Sequence, residues 1–85
     1  MKSLYDDRYK AAISLLKGYR LNSNMTQQEL AMLLNSDQGY VSKFESGQRR
    51  LDIIEVRTIC NHLGVNLVSF VNDLETIIKE ENLDD

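Results

Sequence analysis

Between Thr26 and Gly47 the sequence marks two short helices almost back to back, and this constrains the chain more than any other feature. Thr26 and Glu29 stand in the spacing T-x-x-E, which lets each side chain bond the other's backbone N–H at a helix start. Met25 precedes that cap and can staple onto Leu30. The helix predicted there runs from Gln27 to Leu34, with Leu30, Leu33 and Leu34 facing inward and Ala31 small enough for a close crossing. Asn35 and Ser36 break it, and Asn tolerates the left-handed backbone of a sharp turn. Asp37 then caps a second helix, Gln38 to Ser46, that stops at Gly47. A helix, a turn of about three residues and another helix make a helix-turn-helix spanning about 26–46.

The faces of the second helix differ in kind. Val41 and Phe44 are its inward pair, while Gln38, Gly39, Ser42, Lys43 and Ser46 are all small or hydrogen-bonding. No apolar core wants that surface. It suits base edges: Gln can bond adenine N6 and N7 together, and Lys can donate to guanine O6 and N7. Tyr40 has two readings, contact with a thymine methyl or a phosphate, or packing beside Met25 or Leu34. Gln48, Arg49 and Arg50 follow at once, where arginines could neutralise phosphates flanking the groove. The alternative for Arg49 and Arg50 is a solvated loop or pairing with Asp52.

Three further helices are expected around this unit, and no strand. One runs from about Asp7 to Leu21, with Tyr9, Ala12, Ile13, Leu16, Tyr19 and the stem of Arg20 at helical spacing, although Gly18 weakens its last turn. Another runs from about Asp52 to Leu63, with Ile54, Val56, Ile59, Cys60 and Leu63 mostly inward. The last starts at Asn66 and covers about 67–81. Its Leu67, Val68, Phe70, Val71, Leu74, Ile77 and Ile78 form an apolar surface too wide for one stripe. Part of it can close the core, and the remainder, with Phe70, Val71, Leu74, Ile77 and Ile78 as the expected contacts, meets a second copy across a two-fold axis; the alternative is a helix that wraps back fully on its own domain.

Size and charge set outer limits. Eighty-five residues imply one domain, 1–85, that buries about 60–65% of its unfolded surface, so self-association would add usefully to a small core. The net charge of −3 is unevenly placed: nine basic and seven acidic residues through residue 57 leave +2, and one basic against six acidic residues after it leaves −5. Phosphate binding answers to the local patch rather than the total. No apolar run suggests a membrane span, and the first residues carry no apolar stretch of a secretory signal, so the cytoplasm is expected. Cys60 alone makes no intrachain disulfide and reads as a core residue; His62 has no second ligand nearby. No phosphate loop, metal-ligand spacing or nucleophile–base pair is present in the sequence, so neither an enzyme nor a cofactor is expected.

The stretch 25–56 resembles the Xre, or lambda-repressor/Cro-like, helix-turn-helix family. The likeness rests on T-Q-x-E-L-A at Thr26 to Ala31, Y-V-S-K at Tyr40 to Lys43, E-x-G at Glu45 to Gly47 and L-G-V at Leu63 to Val65, and it covers about 8–74. It implies an all-α fold, a compact five-helix bundle that binds duplex DNA as a homodimer on a palindromic operator and controls transcription. By resemblance Gln27 takes a backbone phosphate and braces the recognition helix; Ser46, Gln48, Arg49 and Arg50, at or just beyond the end of that helix, are the other expected phosphate contacts. Gln38, Gly39 and Lys43 face bases, Tyr40 and Ser42 stand at the groove edge, and Arg20 and Glu45 form an ion pair between the first and third helices. Asn35 stands where the family has a turn glycine, and Gly39 where a base-reading side chain is common. Controller proteins of restriction–modification systems are similarly short. An antitoxin-type module, with a protein as its main partner and DNA autoregulation second, is the other reading of the acidic tail.

Overall fold

The computed structural model describes residues 6–84, so the outermost residues of the expected 1–85 domain lie outside the described part. It contains five helices: α1 Asp7–Asn22, α2 Gln27–Leu33, α3 Gln38–Glu45, α4 Ile53–His62 and α5 Leu67–Glu80. Among the described residues there is no strand. The expected all-α, five-helix fold is therefore the one observed, with α1 continuing through Gly18 to Asn22.

Each helix is closed at both ends by chemistry within a few residues of it. Asp6, Thr26, Asp37, Asp52 and Asn66 accept backbone N–H groups of the five first turns, and Thr26–Glu29 and Asp52–Glu55 are both reciprocal capping boxes. At the other ends the backbone N–H groups of Met25, Ser36, Gln48, Val65 and Leu83 reach back to the carbonyls of Arg20, Ala31, Lys43, Cys60 and Ile78. Each such closure needs one left-handed residue just before it, and Asn24, Asn35, Gly47, Gly64 and Asn82 supply them with φ of 55°, 53°, 83°, 75° and 54°. Asn35 thus does the work of a turn glycine between α2 and α3.

The core gathers Ile13 and Leu16 of α1, Leu30 and Ala31 of α2, Val41 and Phe44 of α3, Leu51, Ile59, Cys60 and Leu63, and Phe70 of α5. α2 packs on α3, α1 lies against both α3 and α5, and α4 closes on α5. Tyr19 meets Phe70 edge-to-face at 6.4 Å, and its hydroxyl donates to Asp73, fixing α1 to α5. Burial and that carboxylate push the Tyr19 phenol well above its ordinary range. Asp84 accepts from Arg8 of α1 at the surface, so one carboxylate of the acidic C-terminal segment is paired within the chain.

Two expectations about inward residues fail, for reasons of helix phase. Successive residues turn by about 100°. On α2 the buried arc is set by Leu30 and Ala31, with Leu34 partly covered, which leaves Leu33 outside it and exposed. On α4 the arc runs through Val56, Ile59, Cys60 and Leu63, and Ile54 falls nearly opposite, exposed. Phe70, expected at a dimer contact, is 4% exposed and belongs to the core of its own chain. Leu74 packs against that core and Ile77 and Ile78 are half-buried, while Val68 and Val71 are exposed along one flank of α5.

Candidate nucleic-acid interface

A chain of polar side chains runs from the interior to the outer face of α3. It begins at Arg20, whose Nε and Nη2 donate to the two Glu45 carboxylate oxygens at 2.7 and 2.9 Å, while Nη1 donates to the Met25 carbonyl at 2.7 Å. Both side chains of this pair are buried, 7% and 3% exposed, and the expected ion pair is thereby present. The fork geometry suits arginine: two parallel donors meet one carboxylate. The hydrogen bonds to Glu45 raise the already high guanidinium pKa, so Arg20 carries its charge at every pH at which the chain folds.

Glu45 then accepts a third bond, from Gln27 Nε2 at 3.0 Å. Gln27 in turn accepts from Gln38 Nε2 at 2.9 Å. α2 and α3 are thus tied side chain to side chain at their first residues, and the tie ends on an exposed glutamine. One amide N–H of Gln38 goes to Gln27. Its carbonyl can accept from adenine N6 and its second N–H can donate to N7. The buried ion pair therefore sets the attitude of the outermost side chain through two amides.

The other expected readers fall as follows. Gly39, Lys43 and Ser46 are exposed beside Gln38, and Ser42 is partly covered. Gly39 and Lys43 are four residues apart and share one face. A Cβ at Gly39 would stand 3.3 Å from Asp37 Oδ1, so glycine there also spares the cap of α3. The Ser46 hydroxyl donates to the Lys43 carbonyl at 3.1 Å and finishes the helix. Gln48 is exposed in the loop beyond.

Tyr40, expected at the groove edge among the readers, is partly buried beside this face. Its ring packs edge-on against Phe44 at 5.5 Å, one helical turn away. Its hydroxyl donates to Glu55 Oε2 at 2.9 Å, and burial followed by that bond raises its pKa. The same Oε2 accepts from Arg49 Nη2 at 2.9 Å, and the Arg49 guanidinium lies 5.1 Å from the Tyr40 ring centre. Arg49 pairs with Glu55, then, and not with Asp52. Arg50 lies over the ring of Tyr9 at 4.3 Å, and the Tyr9 hydroxyl accepts from the Leu51 N–H at 3.0 Å. Both arginines are held by aromatic faces on either side of the loop after α3.

Sequence reasoning missed Glu55 altogether. Its signal was the D-x-x-E of Asp52–Glu55, the same kind of spacing that marked Thr26. The bond from the Asp52 N–H, with Arg49 next in effect, lowers the Glu55 pKa and keeps it a carboxylate.

This arrangement has known counterparts. The Helix-turn-helix family model (HTH_3) matches residues 16–70, from within α1 to the first turn of α5. The chain is similar to the solved structure of an XRE-family like protein from Pseudomonas syringae pv. tomato str. DC3000, with 37% identity, 86% of this chain and 89% of that chain covered, and a TM-score of 0.81. Its fold is also similar to that of the clp gene regulator ClgR from Corynebacterium glutamicum, at 22% identity and a TM-score of 0.65, with 98% and 88% of the two chains covered. No curated protein matches the chain. Among the described residues no helix is long and apolar enough to cross a membrane. With the helix-turn-helix and its supporting helices inside the matched span, the chain belongs to the Xre-like helix-turn-helix family of DNA-binding transcription regulators.

Proposed function

We propose that this chain acts in the cytoplasm as a homodimeric regulator that places α3 in the major groove of a near-palindromic operator and represses by occupying it. The observation that carries the reading is the braced glutamine. Gln38 opens α3, and Gln27 holds its amide in place, backed by the buried Glu45 and Arg20. Lys43 and Gln38 then read bases, with Gly39 and Ser42 allowing close approach. Gln27, Ser46, Gln48, Arg49 and Arg50 lie at the groove margins for phosphates, each neutralised phosphate adding to affinity and to salt dependence.

The dimer contact is assigned to the flank of α5 carrying Val68, Val71 and Ile78, since Phe70 and Leu74 serve the core. Two copies related by a two-fold axis present α3 twice, with half-site centres about 34–36 Å or ~10 bp apart. Selection of bound duplexes from a random pool tests this directly. A near-palindrome with that spacing is the expected product. An asymmetric single site, bound one-to-one by a chain that sediments as a monomer at micromolar concentration, removes the dimer. Enrichment of no sequence at all removes the reading face. In the selected duplex, Gln38→Ala and Lys43→Ala each cost about 1–3 kcal/mol of discrimination at one base pair.

A further inference from the structure

We propose that Glu55 is a positioning residue for DNA binding: it holds the Arg49 guanidinium against the face of Tyr40 and so presents Arg49, already oriented, to a backbone phosphate. The inference rests on the reading above that Arg49 meets a phosphate.

The geometry joins three separate elements at one carboxylate. Glu55 Oε1 accepts from the Asp52 N–H at 2.9 Å, completing the cap of α4 and fixing the plane of the carboxylate. Glu55 Oε2 accepts from Tyr40 of α3 and from Arg49 of the loop, both at 2.9 Å. Arg49 is left 49% exposed over the tyrosine ring, and Glu55 is 25% exposed beneath. A guanidinium carries five N–H donors in a rigid fork, so one bond to Glu55 leaves a full edge for a phosphate.

Exposed ion pairs add little to stability, so the consequence of this one is geometric. An arginine that must be ordered on binding loses rotamer freedom at that moment. One ordered beforehand by Glu55 and Tyr40 does not. The sign of the effect separates this role from simple electrostatics. A carboxylate near DNA repels phosphate, and removing it should strengthen binding if charge were all that mattered.

Glu55→Gln is the test variant. Gln can still cap α4 through its carbonyl oxygen, but the amide nitrogen replacing Oε2 cannot accept from Tyr40 or Arg49. Affinity for the selected duplex and for a random duplex is measured across a salt series for wild type, Arg49→Ala, Glu55→Gln and the double variant. Arg49→Ala should flatten the log–log salt slope by about 0.9. Glu55→Gln should weaken binding about 3–10-fold despite losing a negative charge, and move the slope part of the way towards that of Arg49→Ala. The double variant should bind no more weakly than Arg49→Ala alone. If Glu55→Gln binds both duplexes as tightly as wild type or more tightly, while Arg49→Ala flattens the slope, the positioning role is wrong and the phosphate contact stands. If Arg49→Ala leaves the slope unchanged, the phosphate contact fails and this inference with it. Should Glu55→Gln fail to fold, Tyr40→Phe replaces it, changing no charge while deleting the hydroxyl that shares Oε2. Weakening of about twofold or more then supports the role, and wild-type binding counts against it.

Discussion

Two carboxylates, Glu45 and Glu55, each gather three donors around the recognition helix, but one does so inside the protein and the other at its surface. Glu45 receives both sides of the Arg20 fork and the Gln27 amide with its side chain 3% exposed. Glu55 receives a backbone N–H, a phenol and one arm of Arg49 while 25% exposed. The same bonding pattern has different consequences at the two depths. Inside, an unpaired charge cannot be repaid by water, so the Glu45 cluster governs stability and sets α3 rigidly on α1 and α2. Outside, water replaces any lost partner cheaply, so the Glu55 cluster governs orientation more than stability.

The strongest way to break the comparison is to remove one partner of the inner pair. Arg20→Met leaves Glu45 buried without its counter-ion and should cost about 3–5 kcal/mol, read from urea or thermal melts. Pairing it with Glu45→Leu should recover much of that loss, and simple additivity in the cycle would mean the two groups do not act together. Gln27→Ala comes next. It takes one neutral donor from a buried carboxylate and should cost about 1.5–3 kcal/mol. It should also loosen base choice at the Gln38 position, which a competition assay against single-base operator variants will show. Tyr40→Phe is milder, about 0.5–1.5 kcal/mol, because the ring contact with Phe44 survives and only one hydrogen bond is lost. A loss as large as that of Arg20→Met would show that the surface cluster is as structural as the inner one.

Acid sharpens the comparison with the smallest effect. The Glu55 pKa lies below its ordinary 4.5 in the folded chain, chiefly through the Asp52 N–H and then Arg49. A group depressed in this way stabilises the fold above its unfolded pKa, and the contribution fades as pH falls through the folded value. Wild type should therefore lose melting temperature between neutral pH and about pH 3, and Glu55→Gln should lose slightly less over that interval. Identical pH profiles would mean that Glu55 titrates alike in the folded and unfolded chain.

What the sequence made legible follows the range of the interactions. The start and stop of α2 and α3 could be read because a cap and its acceptor lie three residues apart, as with Thr26 and Glu29 or Asp37 and Tyr40. The outer face of α3 could be read because small and polar residues at Gln38, Gly39, Ser42 and Lys43 leave nothing to bury. Arg20 and Glu45 came from family likeness, not from spacing, since they are 25 positions apart and meet only when α1 crosses α3. Leu33, Ile54 and Phe70 were misplaced because apolarity reports that a side chain is sticky, not which arc of the helix its neighbours cover. The meeting of Tyr40, Arg49 and Glu55 was invisible for a related reason: it depends on how α4 returns past α3 after the loop.

The closures at the helix ends have a kinetic consequence. Every cap and every left-handed stop joins residues close in the chain, so the signals that bound each helix are local ones. Chains dominated by such short-range contacts search little and cross their folding barrier in microseconds to milliseconds. Replacing Asn24 or Asn35 by a β-branched residue would strain the left-handed turn of the finished bundle and also blur where one helix stops and the next begins.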